Sequence, residues 1–137
     1  MTSKTTIKGE FACTKVEQLA LLKGAIVSRP ALETRYDRII DWNGKLNRVQ
    51  IKYASGKTRS SGAVAVKLDS NRFNPKKKKH LYDLSEIDAV LAYIPQLDKV
   101  CWFGPKFFVG KTSIIVRIAA TKNNQKKNCI MADKHFW

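Results

Sequence analysis

Polar and apolar residues alternate along this chain in two distinct rhythms. Through residues 10–23, EFACTKVEQLALLK, Ala12, Val16, Leu19 and Lys23 recur at spacings of three and four with Ala20 beside them, the period of an amphipathic helix. Gly24 ends it, since glycine readily takes the left-handed turn that closes a helix. A short strand over 25–29 follows, stopped by Pro30, and 32–35 reads as a loop. Two strand-like runs, 36–42 and 45–54, are then separated by Asn43-Gly44. That dipeptide is the strongest short-range hairpin signal, because a type I′ turn needs positive φ at both central residues. Pairing outward from the turn sets Trp42 opposite Lys45 and Asp37 opposite Gln50. Lys52 falls on the same face as Gln50, because side chains alternate along a strand. The other face carries Tyr36, Ile40 and Trp42 with Val49, Ile51 and Tyr53, and is expected to be buried.

Residues 55–62, SGKTRSSG, form a polar basic loop before a strand at about 63–68. The run RFNPKKKKH within 71–80 is the densest positive stretch, and a short turn or helix near Leu84 leads to an apolar run at 87–94. Residues 95–98 turn the chain into a strand at 100–103, and a last strand at 113–119 precedes the polar tail TKNNQKKN. There is no internal repeat. One α+β domain over 1–137 is expected, a mixed central β-sheet with a flanking N-terminal helix.

Charge narrows the partners. The 137 residues hold 26 Lys+Arg against 11 Asp+Glu, a net charge of +15. Self-repulsion on that scale points to a polyanion, and nucleic acid fits best. A basic membrane-surface protein is the rival, but no long amphipathic helix, lipidation motif or apolar stretch of membrane-spanning length supports it. The start MTSKTTIKGE carries no signal-peptide pattern. Cys13, Cys101 and Cys129 are odd in number and outside any CxxC pair. That argues against a disulfide framework or zinc finger and for an intracellular, cytoplasmic setting. His80 and His135 stand alone and read as surface or phosphate-contacting residues.

The hairpin face gathers an acid, an amide and a lysine. Directly opposed Cβ atoms lie about 4.5–5.5 Å apart, with the diagonal neighbour within reach of a long side chain. The Asp37 carboxylate and Gln50 carbonyl are hard oxygen ligands that could hold one hydrated Mg²⁺ bridging to a phosphate. Lys52 beside it could orient the attacking water and stabilise charge at phosphorus. By itself the hairpin also fits a solvated strand face with an incidental Asp–Lys pair.

The run RYDRIID…NGKLNRVQIKYA resembles the core hairpin of PD-(D/E)xK nucleases, where an acid on one strand faces an (E/Q)-x-K on the next. Glutamine in that slot, after a valine, is similar to the group I intron-encoded homing endonucleases of this fold. KGE at the first helix, LLKGAIVSRP before the hairpin, YDLSEIDAVLAYIP, and IIVRI with Arg117 extend the likeness over about residues 8–133. The resemblance implies a restriction-endonuclease-like core. It implies Asp37 as essential metal ligand, Gln50 as second ligand and Lys52 as catalytic lysine, with Mg²⁺ as cofactor and Mn²⁺ able to substitute. Many members carry a glutamate four residues after the first-helix glycine, where this chain has Cys13. Glu10 or Glu17 could replace it, with Glu10 preferred. Both also fit as surface acids, Glu10 at the positive helix N-terminus.

Arg29, Arg35, Arg38, Lys57, Arg59, Arg72, Lys76, Lys77, Lys78 and Lys79 flank the hairpin or sit in polar loops, placed to neutralise phosphates. The two Gly-Lys-Thr triplets lack P-loop spacing, so no nucleotide cofactor is expected. The expected activity is Mg²⁺-assisted, site-specific cleavage of double-stranded DNA, in intron homing. One site cuts one strand, so a homo-oligomer, dimer or tetramer, is expected. Two alternatives stay open: a Holliday-junction resolvase, marked by preference for branched DNA, and a non-catalytic nucleic-acid-binding protein, marked by metal-independent binding without nicking.

Overall fold

The computed structural model describes residues 1–59, 61–68, 80–120, 123 and 127–137. Helix α1 runs Lys4–Lys23, starting six residues earlier than the apolar periodicity predicts. Ser3 caps it, its side chain accepting from the Thr6 N–H, and Gly24 closes it at φ 72° with its N–H on the Ala20 and Leu21 carbonyls. The cap satisfies main-chain donors that apolar spacing cannot report. Gly9 therefore lies inside the helix, and Glu10 sits nearly two turns beyond the N-terminus that was expected to hold it. The buried stripe is Ala12, Cys13, Val16 and Ala20. These are small side chains, which let the helix lie close on a sheet.

That sheet has five strands in the order β1 (Ile26–Ser28), β2 (Arg38–Trp42), β3 (Lys45–Tyr53), β5 (Ala89–Ile94) and β6 (Lys99–Phe103). With one parallel pair and three antiparallel ones it is the mixed central sheet expected beside the N-terminal helix, and β4 (Ala63–Lys67), β7 (Ser113–Arg117) and β8 (Ile130–Met131) make a second sheet that was not expected. Alternation along β4 and β7 reports a half-buried strand but not which sheet it joins. A short helix α2 (Pro105–Phe108) and a 3-10 turn (Ala132–Lys134) also lacked a periodic signal. No helix among the described residues is long and apolar enough to cross a membrane.

The hairpin register is as the turn chemistry dictates. Asn43 and Gly44 take φ 53° and 73°, and Trp42 pairs with Lys45 through to Arg38 with Val49. β3 and β5 run parallel, which needs a crossover and not a hairpin. β5 is buried at every position, as its unbroken apolar sequence requires of a strand covered on both faces. One core, with Val16, Ile40, Val49, Ile51 and Leu91, lies under α1. The other, with Val66, Leu68, Val90, Ile94, Phe103 and Phe108, lies between the sheets.

One side chain departs from the alternation scheme, and another keeps to it in spite of its charge. Tyr36, expected beside Val49 and Ile51, packs against the inter-sheet core instead, because β2 begins only at Arg38. Arg38, expected to face DNA, is only 7% exposed. It pairs with Val49 on the helix side.

Candidate active site

Just before β2 begins, where the chain has not yet joined β3, one residue extends the pairing a step further. The Asp37 N–H donates to the Val49 carbonyl at 2.8 Å, and Asp37 Oδ2 accepts the Ile51 N–H at 2.8 Å. The carboxylate thus stands in for the main-chain acceptor that the strand does not yet supply. Its other oxygen makes no hydrogen bond among the described residues. Burial is the largest influence on this acid and raises its pKa, against the Ile51 hydrogen bond and the nearby Lys52 and Arg38 charges.

Asp37 lines a cavity of about 360 Å³ together with Gln50, Lys52, Arg35, Arg29 and Tyr82. The acid, amide and lysine expected on one face therefore do open onto one space. The Gln50 side chain makes no hydrogen bond among the described residues, so its amide oxygen is available as a ligand. The Lys52 ammonium lies 5.5 Å from the centroid of the Tyr82 ring. Lys52 also lines a second cavity of about 480 Å³, with Lys8, Lys57, Lys67 and Gly56. This is a lysine-rich recess from which Lys8 and Lys67 were missing in the sequence reading. Gly56 is required there: an added Cβ would come within 2.6 Å of the Ala65 carbonyl.

The helix acids divide. Glu17 is committed: its Oε1 accepts from Arg38 Nε at 2.8 Å and from Arg29 Nη2 at 3.1 Å. Burial pushes its pKa up, but the Arg38 hydrogen bond and both arginine charges hold it below the usual glutamate value. Arg38 also donates to the Asp37 carbonyl at 2.7 Å, so its Nε and Nη1 are bound within the protein while it lines the same cavity. Glu10 is exposed, has no ion-pair partner among the described residues, and acts electrostatically on both Asp37 and Cys13. Cys13 is buried beside them, and desolvation first, then the Asp37 charge, pushes its thiol up to about 12. It is a neutral neighbour of the acid and not a thiolate.

Of the expected DNA contacts, Arg35 lines the first cavity and Lys57 the second, while Arg59 is exposed on the loop between β3 and β4. Arg72, Lys76, Lys77, Lys78 and Lys79 lie outside the described residues. Arg117 clamps main chain, donating to the Ser61, Ala119 and Ala120 carbonyls. His80 meets Glu86 at 3.1 Å, and the His135 ring packs on Phe103 and Phe107.

The donor set suits a hard divalent ion. One carboxylate and one amide oxygen are too few for a closed protein cage, but they fit an ion that keeps most of its waters. No group of three His, Cys, Asp or Glu side chains among the described residues could hold a metal, so a closed structural zinc site does not fit.

No curated protein matches this chain. The structure of a bacterial homing endonuclease, I-Ssp6803I, is similar to it with a TM-score of 0.77 and 24% identity, over 98% of this chain and 89% of that one. At that identity the likeness is one of fold. A profile of PD-(D/E)XK endonucleases matches residues 3–136, nearly the whole chain and all of the cavity just described. The chain therefore belongs to the PD-(D/E)XK endonuclease family, nucleases that generally use divalent metal ions.

Proposed function

We propose that this nuclease hydrolyses phosphodiester bonds at a specific site in double-stranded DNA with Mg²⁺, as an intron homing endonuclease acting as a homo-oligomer inside the cell. The observation that carries the reading is the opening of Asp37, Gln50 and Lys52 onto one cavity beside a lysine-lined recess. Asp37 and Gln50 would hold the ion, with Mn²⁺ able to replace Mg²⁺. A divalent ion bound there would polarise a phosphoryl oxygen and acidify a water. Lys52 would direct that water and offset charge at phosphorus. Glu10, the acid not bound to an arginine, would take the place of the family glutamate at Cys13 and act on the site through its charge. Lys57, Arg59 and the cations of 72–79 would track the backbone. The three cysteines are free thiols, in keeping with a reducing compartment.

Digestion of total genomic DNA, with mapping of the ends, tests this reading. Ends should accumulate at one sequence in Mg²⁺ or Mn²⁺ and vanish in EDTA. Scattered ends, or cleavage unaffected by EDTA, would overturn site specificity or metal dependence respectively. Affinity should also fall steeply with salt, because each neutralised phosphate contributes about −0.9 to the slope of log affinity against log salt. A gel-shift series giving a slope near zero removes the basic residues from phosphate tracking.

A further inference from the structure

We propose that Arg35 is a further catalytic residue, a preorganised guanidinium that contacts the phosphate being cleaved, with Tyr82 and Glu86 as its positioning residues. The inference rests on the nuclease reading of the same cavity.

Arg35 leaves the loop between β1 and β2 two residues before Asp37, so the chain delivers both to one wall of the cavity. Its guanidinium carbon lies 4.2 Å from the centroid of the Tyr82 ring. Its Nε comes within 3.0 Å of Glu86 Oε2 but out of hydrogen-bond alignment, so that buried N–H has no donor bond. Nη2 reaches the His80 carbonyl at a long 3.4 Å. Nη1 makes no hydrogen bond among the described residues. The arginine is therefore steered by a ring face and a carboxylate that seal its Nε, while Nη1 and part of Nη2 remain unspent. A planar fork with free donors suits the paired oxygens of a phosphodiester.

The support is itself anchored. Tyr82 is 2% exposed, and its ring carries the Lys52 ammonium as well as Arg35. Its phenol is pushed up to about 12, by burial first, so the ring stays neutral and can accept both cations on its π-density. The segment bearing Glu86 is tied to β3 by Arg48, which donates to the Leu84 and Ser85 carbonyls and to Asp88. Arg35 and Lys52, two of the cations that line the cavity, thus share one ring. Donors fixed before reaction cost no reorganisation as charge develops at phosphorus.

The alternative is a structural clip that merely ties residue 35 to 80–86. Arg35→Lys, Glu86→Gln, Tyr82→Phe and Tyr82→Leu separate the two. The measurements are single-turnover cleavage of genomic DNA in Mg²⁺, duplex affinity in Ca²⁺, melting temperature, and exchange of the Arg35 Nε–H by NMR. Arg35→Lys should lose about 10²–10³-fold in rate with little change in affinity. Glu86→Gln should lose up to about 100-fold without a matching fall in melting temperature. Tyr82→Phe should restore the rate and the slow Nε–H exchange that Tyr82→Leu loses. Parallel losses of rate and affinity would place Arg35 on a flanking phosphate and overturn the proposal. So would wild-type rates in Arg35→Lys and Glu86→Gln. A wild-type protein that cuts nothing in any metal overturns the nuclease reading instead, and this inference with it.

Discussion

Asp37→Asn is expected to reduce single-turnover cleavage in Mg²⁺ by at least about 10²–10³-fold, the scale of losing one preorganised electrostatic contact in a dry site. Asparagine keeps an oxygen for the Ile51 N–H but removes the anionic anchor of the metal. DNA affinity in Ca²⁺ should hold or tighten, because a negative charge leaves the phosphate's neighbourhood. Stability should hold or rise as well. Burial raises the Asp37 pKa above its ordinary value, so the folded state binds the proton more tightly than the unfolded chain. The benefit of a protonated Asp37 is complete below the unfolded pKa and is lost as pH climbs through the folded pKa. Near neutral pH the carboxylate is a cost that asparagine removes. Asp41 is the control: it is exposed, pairs with Leu46 next to the turn, and lies outside the cavity lining. Asp41→Asn should keep most activity. A dead Asp41→Asn beside an active Asp37→Asn would reverse the assignment.

Lys52→Met should cost about 10²–10⁴-fold in turnover, the range for a positioned proton-transfer group. Methionine retains an apolar stem of similar reach under the Tyr82 ring. The loss should therefore appear in the rate and not in melting temperature or in the gel shift. Removing the ammonium also removes one of the charges that hold the Asp37 pKa down, so metal should bind less readily as pH falls. Melting, gel shift and cleavage of one preparation check this together. Cleavage at the wild-type rate takes Lys52 out of the mechanism.

Much of this site was legible because hairpin pairing is local. Asn43-Gly44 admits one turn, the turn admits one register, and a period of two then decides which residues share a face. The burial of Arg38 was readable by the same rule: it stands two residues before Ile40 and so belongs to the buried face. Its burial has an explanation that only packing supplies, namely Glu17 on the helix across from it. The choice between Glu10 and Glu17 has the same character. The sequence offers two acids one turn either side of Cys13, and the tertiary arrangement assigns Glu17 to Arg38 and Arg29.

The amino-acid sequence by itself determined the helix, the hairpin and its register, the unbroken apolar strand β5, and the clustering of Asp37, Gln50 and Lys52. Each follows from contacts between residues near one another in the chain, whose geometry is set by backbone period and turn chemistry. Only the tertiary structure decided that β4, β7 and β8 leave for a second sheet, that Tyr36 crosses to the inter-sheet core, and that Arg35, Tyr82 and Glu86 meet at the cavity wall. Those outcomes join segments some 45 residues apart through side-chain packing. A strand's alternation states that one face is buried without stating against what.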